Sequence, residues 1–414
     1  MKKLAAILSL MFLLTACNSS PNHNPHVEDA YENIMKEYTS PEGYRVTEYE
    51  NGHTTILSSE NNTDIVKVPA IWDMTKLFDY KLEELPKEEG EQFFHDLRSR
   101  DLTKLDLSNE LDYLLTADFD DHTIWPDSLP IEYDIEKIKE YGMDPGLGIR
   151  KLHEKGITGQ GIGIAIIDQT LLVNHVEYKD QIKLYEEIHM NSNSAQMHGP
   201  AVASIAVGKN VGVAPKSDLY YITTSGQDLY WIAKSIDRII EINKSLATES
   251  KIGVISLSRG ILPTMENYEL VEDAINRASN EGIYTITIEN SLMGAGRKPS
   301  GNPNDLKSYK KGHGWRDIDL GMRRKTEVLV PMDSRCVASP TGQDKYVFYY
   351  SGGMSWAVPY TAGLYALCSQ VNPNITPDEF NAAIYNTATK VKLDDTEYEY
   401  KILNPEELIN KIKK

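Results

Sequence analysis

Cysteine is scarce in this chain: three residues in 414, at positions 17, 336 and 368. None belongs to a C-x-x-C pair and no H-E-x-x-H occurs, so the usual spacings of zinc sites are excluded. No apolar stretch is long enough to cross a bilayer, since the longest, Leu4 to Leu14, stops well short of the roughly 20 residues a spanning helix needs. Positive charge is in deficit, with 43 Lys and Arg against 61 Asp and Glu. The resulting net charge of −18 repels phosphate backbones and argues against a nucleic-acid partner. No internal repeat is present either, because the L-x-x-L-x-L phrase at Leu102–Leu107 occurs once.

The short apolar stretch follows Lys2 and Lys3 and runs into Leu14-Thr15-Ala16-Cys17. A basic start, an apolar centre and small residues before a processing point make a secretory signal. The last four residues resemble the lipobox cut by the bacterial lipoprotein signal peptidase. That resemblance implies a signal peptide over 1–16, a lipidated Cys17 and a membrane partner reached through that anchor on the extracytoplasmic face. The alternative is an ordinary cleaved signal in which Cys17 is incidental. Export would let Cys336 and Cys368 pair, but two separately buried thiols are an equal reading.

Residues 17–30 are polar, with two prolines, and read as a flexible tether. From 31 to 145 the pattern is mixed: strands over Tyr44–Ile56, a helix over Glu88–Leu97 and another over Ile131–Tyr141 ended by Gly142 and Pro145-Gly146. From 146 to 414 short β-branched runs alternate with helical segments. Buried strands are expected at Gly163–Ile167, Leu219–Thr223, Gly253–Leu257, Tyr284–Ile288 and Glu327–Val330. Helices are expected at Gly199–Val207, Leu229–Lys244, Tyr268–Asn280 and Trp356–Val371. The alternation predicts an α/β fold, a mainly parallel sheet with helices on both faces, plus a smaller mixed α+β region at the N-terminus. Functional residues of such sheets gather at the carboxyl ends of the strands.

Three residues stand at such places. Asp168 ends the strand Ile164-Ala165-Ile166-Ile167, where a carboxylate can cap a helix, bind a metal or orient a histidine. His198 stands between a polar loop and a small-residue helix with Pro200 in its first turn. Ser355 follows Gly352-Gly353-Met354 at the start of a helix, where unpaired N–H groups favour developing negative charge. Pro359 is expected to remove one helical hydrogen bond only in the first turn. Each residue alone also fits a plain capping or surface role.

Taken together, the three segments resemble the subtilisin-like serine proteases, or subtilases, whose triad follows the order Asp, His, Ser. Gly353-Met354-Ser355-Trp356-Ala357-Val358-Pro359 is similar to the family's G-T-S-M-A-x-P, and His198-Gly199-Pro200-Ala201-Val202-Ala203 to its H-G-T-H-V-A. Thr158–Asp168, Gly212-Val213-Ala214-Pro215 and Val254–Gly260 match further family phrases, so the resemblance spans about Gly146 to Thr389. It implies that Asp168 orients His198, that His198 acts as general base and acid, and that Ser355 is the nucleophile of an acyl-enzyme mechanism. It implies Asn290, in the place of the asparagine in A-A-A-G-N, as the side-chain oxyanion donor. The implied partner is a peptide or protein substrate, lying extended against Ser258, Arg259 and Gly260 on one side and Thr287, Ile288 and Glu289 on the other.

Met354, Trp356, Ala201 and Glu289 depart from the family's residues and crowd the cleft. Glu289 would favour a basic residue before the cut, unless it simply pairs with Arg259. Residues 31–145 read as a prosegment, an accessory domain or a retained extension, with the last favoured. No cofactor is implied; the family often holds structural calcium, but no ligand loop identifies a site here. The rival reading is a catalytically silent subtilase fold that binds a partner.

Overall fold

The computed structural model describes residues 33–58, 64–74, 80–86, 95–225, 228–288, 292–312, 328–393 and 399–413. Its centre is a parallel sheet built from Ile182–Met190, Asp218–Thr224, Gly163–Asp168, Ile252–Ser256 and Tyr284–Ile286, in that spatial order. These runs are apolar on both faces because both faces are covered. Ile164, Ile166, Leu219, Tyr221 and Val254 face the helices His198–Val207 and Met354–Val371. Ala165, Ile167, Tyr220, Ile222 and Ile255 face Leu229–Ser245 and Tyr268–Asn280. Each fully buried Ile, Leu or Val contributes about 1.5–3 kcal/mol, which makes this two-sided core the main stabiliser of the strands that carry the site. The fold class expected from the alternation of elements is the one observed.

The N-terminal region is woven into the same sheets. Ile34–Thr39, Arg45–Tyr49 and Thr54–Leu57 form an antiparallel meander whose third strand pairs antiparallel with Ile182–Met190, so the central sheet has eight strands. At that junction His53 stacks on His189 with ring centroids 3.9 Å apart, and His189 stacks on Trp231 at 4.3 Å. Burial, and then the neighbouring His53, push the His189 pKa down to about 3, so His189 is neutral at ordinary pH. Arg238 closes the next layer with two 2.9 Å bonds to the buried Glu186.

A second junction lies further on. His95–Asp96 pairs with Ala117–Asp118, and Ala117–Asp120 pairs antiparallel with Tyr346–Tyr349, which pairs in turn with Arg335–Ala338. The change of sequence character at 145/146 therefore coincides with no sheet boundary. Other expectations shift at element ends. Residues 88–94 lie outside the described residues, and His95–Asp96 is a strand where the helix Glu88–Leu97 was expected. The helix expected from Ile131 begins at Ile135, because Asp134 is the true cap and accepts from Lys137 N–H at 3.0 Å. It continues through Gly142 to Met143, with Gly142 buried against Cys336.

Cys336 and Cys368 are both buried free thiols, which decides between the two readings of the sequence. Burial raises both thiol pKa values, that of Cys336 to about 12, so neither is a reactive thiolate. Among the described residues, no helix is long and apolar enough to cross a membrane, and no group of three or more His, Cys, Asp or Glu could hold a metal ion.

Candidate active site

Asp168 is the last residue of its strand, level with Thr223 on the neighbouring strand, so its carboxylate leaves the sheet at the carboxyl edge. Thirty residues later His198 opens the helix His198–Val207 at the same edge. His198 Nδ1 lies 2.7 Å from Asp168 Oδ1, with the two side chains 12% and 7% exposed. The Gln169 backbone N–H also donates to Asp168 Oδ1, at 2.7 Å, and the Gln169 side-chain carbonyl accepts from the His198 backbone N–H at 3.2 Å. These bonds fix both partners of the pair. With the proton held on Nδ1, Nε2 is the free basic nitrogen. The nearby Tyr221 phenol donates to the Gln169 carbonyl and stays neutral, its pKa raised well above 10 by burial and then by the charge of Asp168.

Ser355 is the second residue of the helix Met354–Val371. The helix is entered through Gly353 at φ 65° and ψ 176°, a conformation open in practice only to glycine. Pro359 corrects one expectation, since it sits in the second turn and not the first. It cannot donate to the carbonyl four residues back, which is that of Ser355. Ser258 supplies the missing donor: its hydroxyl donates to Ser355 O at 2.9 Å. The nucleophile candidate is thereby tied to the segment that follows the strand Ile252–Ser256. No hydrogen bond joins Ser355 Oγ to His198, although Trp356 brings the two helices together: its indole centroid is 5.3 Å from the imidazole of His198. Such a link often closes only with substrate in place.

The expected substrate-binding segments lie side by side. Ile252–Ser256 and Tyr284–Ile286 pair in parallel, Leu257 N–H donates to Ile286 O at 3.0 Å, and Ile288 N–H donates to Arg259 O at 3.4 Å. Ser258, Arg259, Gly260, Thr287 and Ile288 therefore line adjacent strand ends. Burial lowers the Arg259 pKa against the pull of Asp228. Glu289, Asn290 and Cys17 lie outside the described residues.

Sequence reasoning missed Gln169 and Tyr221. Gln169 directly follows Asp168 and carries no pattern of its own. The buried Trp356 was marked as bulk in the cleft, and its contact with His198 was not foreseen.

Residues 159–312 match the subtilase family model, a range that includes Asp168 and His198 and ends before Ser355. Among curated proteins, the chain is 25% identical over 236 residues to subtilisin-like protease 2 of Trichophyton rubrum, covering 55% of this chain and 54% of that protein. It is 23% identical over 292 residues to the subtilisin-like protease PopC of Myxococcus xanthus, covering 60% of each. The chain thus spans between half and two thirds of the length of these relatives. Among solved structures, the prenylagaramide maturation protease PagA aligns with a TM-score of 0.46 at 19% identity, over 64% of this chain and 98% of that one.

Proposed function

We propose, from the match of residues 159–312 to the subtilase family model, that the chain is a serine endopeptidase acting through Asp168, His198 and Ser355. The observation that carries the proposal is the 2.7 Å bond between Asp168 Oδ1 and His198 Nδ1 at the carboxyl edge of the sheet. A buried carboxylate on Nδ1 holds the tautomer that leaves Nε2 to take a proton from a serine hydroxyl, and it stabilises the imidazolium that results. Ser355, at the start of a helix, would attack the carbonyl, the helix N-terminus favouring the charge that develops. His198 would then return the proton to the leaving amine.

Asn290 is the proposed second oxyanion donor, on the sequence match. The proposed substrate is an extended peptide lying between Ser258–Gly260 and Thr287–Ile288, with Glu289 selecting a basic residue before the cut. A fluorophosphonate probe is expected to label the wild type, to leave Ser355→Ala unlabelled, and to react about 10²–10³-fold more slowly with Asn290→Ala. Absence of label on folded wild-type protein would instead support a silent binding lipoprotein, a reading favoured by the missing hydrogen bond between Ser355 Oγ and His198.

The proposed location is the extracytoplasmic face of the membrane, through lipid on Cys17. Cys17→Ser is expected to move the protein from the membrane to the soluble fraction, and unchanged partitioning would refute the anchor. Neither metal nor organic cofactor enters the proposed chemistry.

A further inference from the structure

Behind the histidine runs a continuous series of side-chain contacts that begins in the N-terminal region. Arg98 is fixed by Asp96, to which its Nε and Nη2 donate at 2.8 and 2.7 Å. Its Nη1 donates to Tyr349 Oη at 3.0 Å, and its guanidinium carbon lies 5.3 Å from the centroid of the Tyr349 ring. The Tyr349 ring meets the Trp356 indole at 5.6 Å and 59° between planes, and the indole meets the His198 imidazole at 5.3 Å and 39°. Tyr349 is 4% exposed and Trp356 2%. The indole N–H finds no acceptor among the described residues, so packing alone sets the plane of the indole. Gly352 forms the remaining wall, since a Cβ there would fall within the indole.

The backbone follows the same route. Asp96 belongs to the strand that pairs with Ala117–Asp118, and Ala117–Asp120 pairs with Tyr346–Tyr349, the strand that leads into the Gly352-Gly353-Met354-Ser355 turn. Tyr350 N–H donates to the buried Asp118 at 2.8 Å and Gly352 N–H to Asp333 at 3.0 Å. Both bonds pin the segment between Tyr349 and Ser355.

We propose that Arg98, Tyr349 and Trp356 are positioning residues that fix the ring plane of His198, so that residues 95–120 form part of the catalytic machinery. This rests on the protease reading given above. Asp168 fixes one nitrogen of the imidazole but leaves the ring free to turn about the axis of that bond. The indole, tilted 39° against the imidazole, limits this freedom and keeps Nε2 directed at the serine side. The guanidinium holds Tyr349, and Tyr349 holds the indole. A misplacement of about 1 Å from a distant change can reduce a rate by about 10²-fold.

The test uses the full chain and two measurements. In Ser355→Ala protein, which needs no activity, the downfield proton resonance of the His198 Nδ1–H is followed by NMR in Trp356→Leu and Trp356→Phe backgrounds. Leu is expected to broaden or abolish the signal and Phe, which keeps a ring, to restore it. With Ser355 intact, the rate of fluorophosphonate inactivation is expected to fall about 10²-fold in Trp356→Leu, to recover most of that loss in Trp356→Phe, and to fall in Tyr349→Phe, which severs only the bond to Arg98. The double variant Asp96→Asn/Arg98→Met removes both charges together, and it is expected to slow inactivation while the KM for any peptide substrate stays unchanged.

An intact resonance and an unchanged rate in Trp356→Leu would overturn the proposal. If Trp356→Leu fails to fold, an unchanged rate in Tyr349→Phe overturns it. A wild type that never reacts with the probe refutes the protease reading and leaves the NMR arm able to judge the stack.

Discussion

Asp168→Asn is expected to lower the rate of fluorophosphonate inactivation and of protein-substrate turnover by about 10⁴-fold while leaving the fold intact. Asp168 Oδ1 accepts from two donors, His198 Nδ1 at 2.7 Å and Gln169 N–H at 2.7 Å. An asparagine can keep one acceptor oxygen there, so the strand end and the helix start stay together. It cannot satisfy both donors and also stabilise an imidazolium. If its amide nitrogen turns towards His198, the proton moves to Nε2, and the nitrogen needed as a base becomes a donor. The backbone bond from His198 N–H to Gln169 persists, which keeps the imidazole nearby in the wrong tautomer. A loss of less than about tenfold would remove Asp168 from the mechanism, because uncharged hydrogen bonding alone would then suffice. A melting temperature close to the wild type's is part of the expected result.

Gly352→Ala is expected to lose about 1–3 kcal/mol of stability from overpacking and most of the inactivation rate as well. The added methyl falls within the volume of the Trp356 indole. Either the indole leaves its place between Tyr349 and His198, or the backbone of the turn retreats and gives up the 3.0 Å bond from Gly352 N–H to Asp333. Both outcomes disturb the approach to Ser355. Combining Gly352→Ala with Trp356→Leu separates them. The smaller side chain is expected to recover stability, measured by thermal or urea unfolding, without recovering the rate, so the two substitutions couple in one property and not in the other. Equal stability and reactivity of Gly352→Ala and the wild type would mean that the turn has slack the packing does not suggest.

Much of the central sheet was legible in the sequence because its strands are buried on both faces and announce themselves as short β-branched runs. Gly163–Asp168 and Tyr268–Asn280 lie within a residue of their expected bounds. The pairing of Asp168 with His198 was legible too, through phrases that place one at a strand end and the other at a helix start. In the N-terminal region the strands expected over Tyr44–Ile56 are found as Arg45–Tyr49 and Thr54–Leu57, but their long-range pairing was not legible, and the reason is physical: Thr54–Leu57 and Ala117–Asp120 are four residues long and pair with strands far along the chain. Asp120 pairs with Val347, and Ile56 with Glu187, contacts that no local window registers. The role of Ser258 escaped for a related reason. Its hydroxyl answers a vacancy created by Pro359, and only the folded chain brings the two together.

The strand Ala117–Asp120 also has a consequence for the order in which this molecule comes into being. Its partner Tyr346–Tyr349 is synthesised more than two hundred residues later. Contacts so distant in sequence close slowly, because the loop entropy must be overcome before the pairing rewards it. Asp168 ends a strand of a sheet, and His198 opens a helix packed on it, that can begin to form earlier, yet the wall behind His198 is complete only when the pairing with Tyr346–Tyr349 closes. A chain interrupted before residue 346 would carry a histidine with its acid and without its backing. Reactivity would thus arrive late, with the finished molecule, and the timing would follow from topology alone.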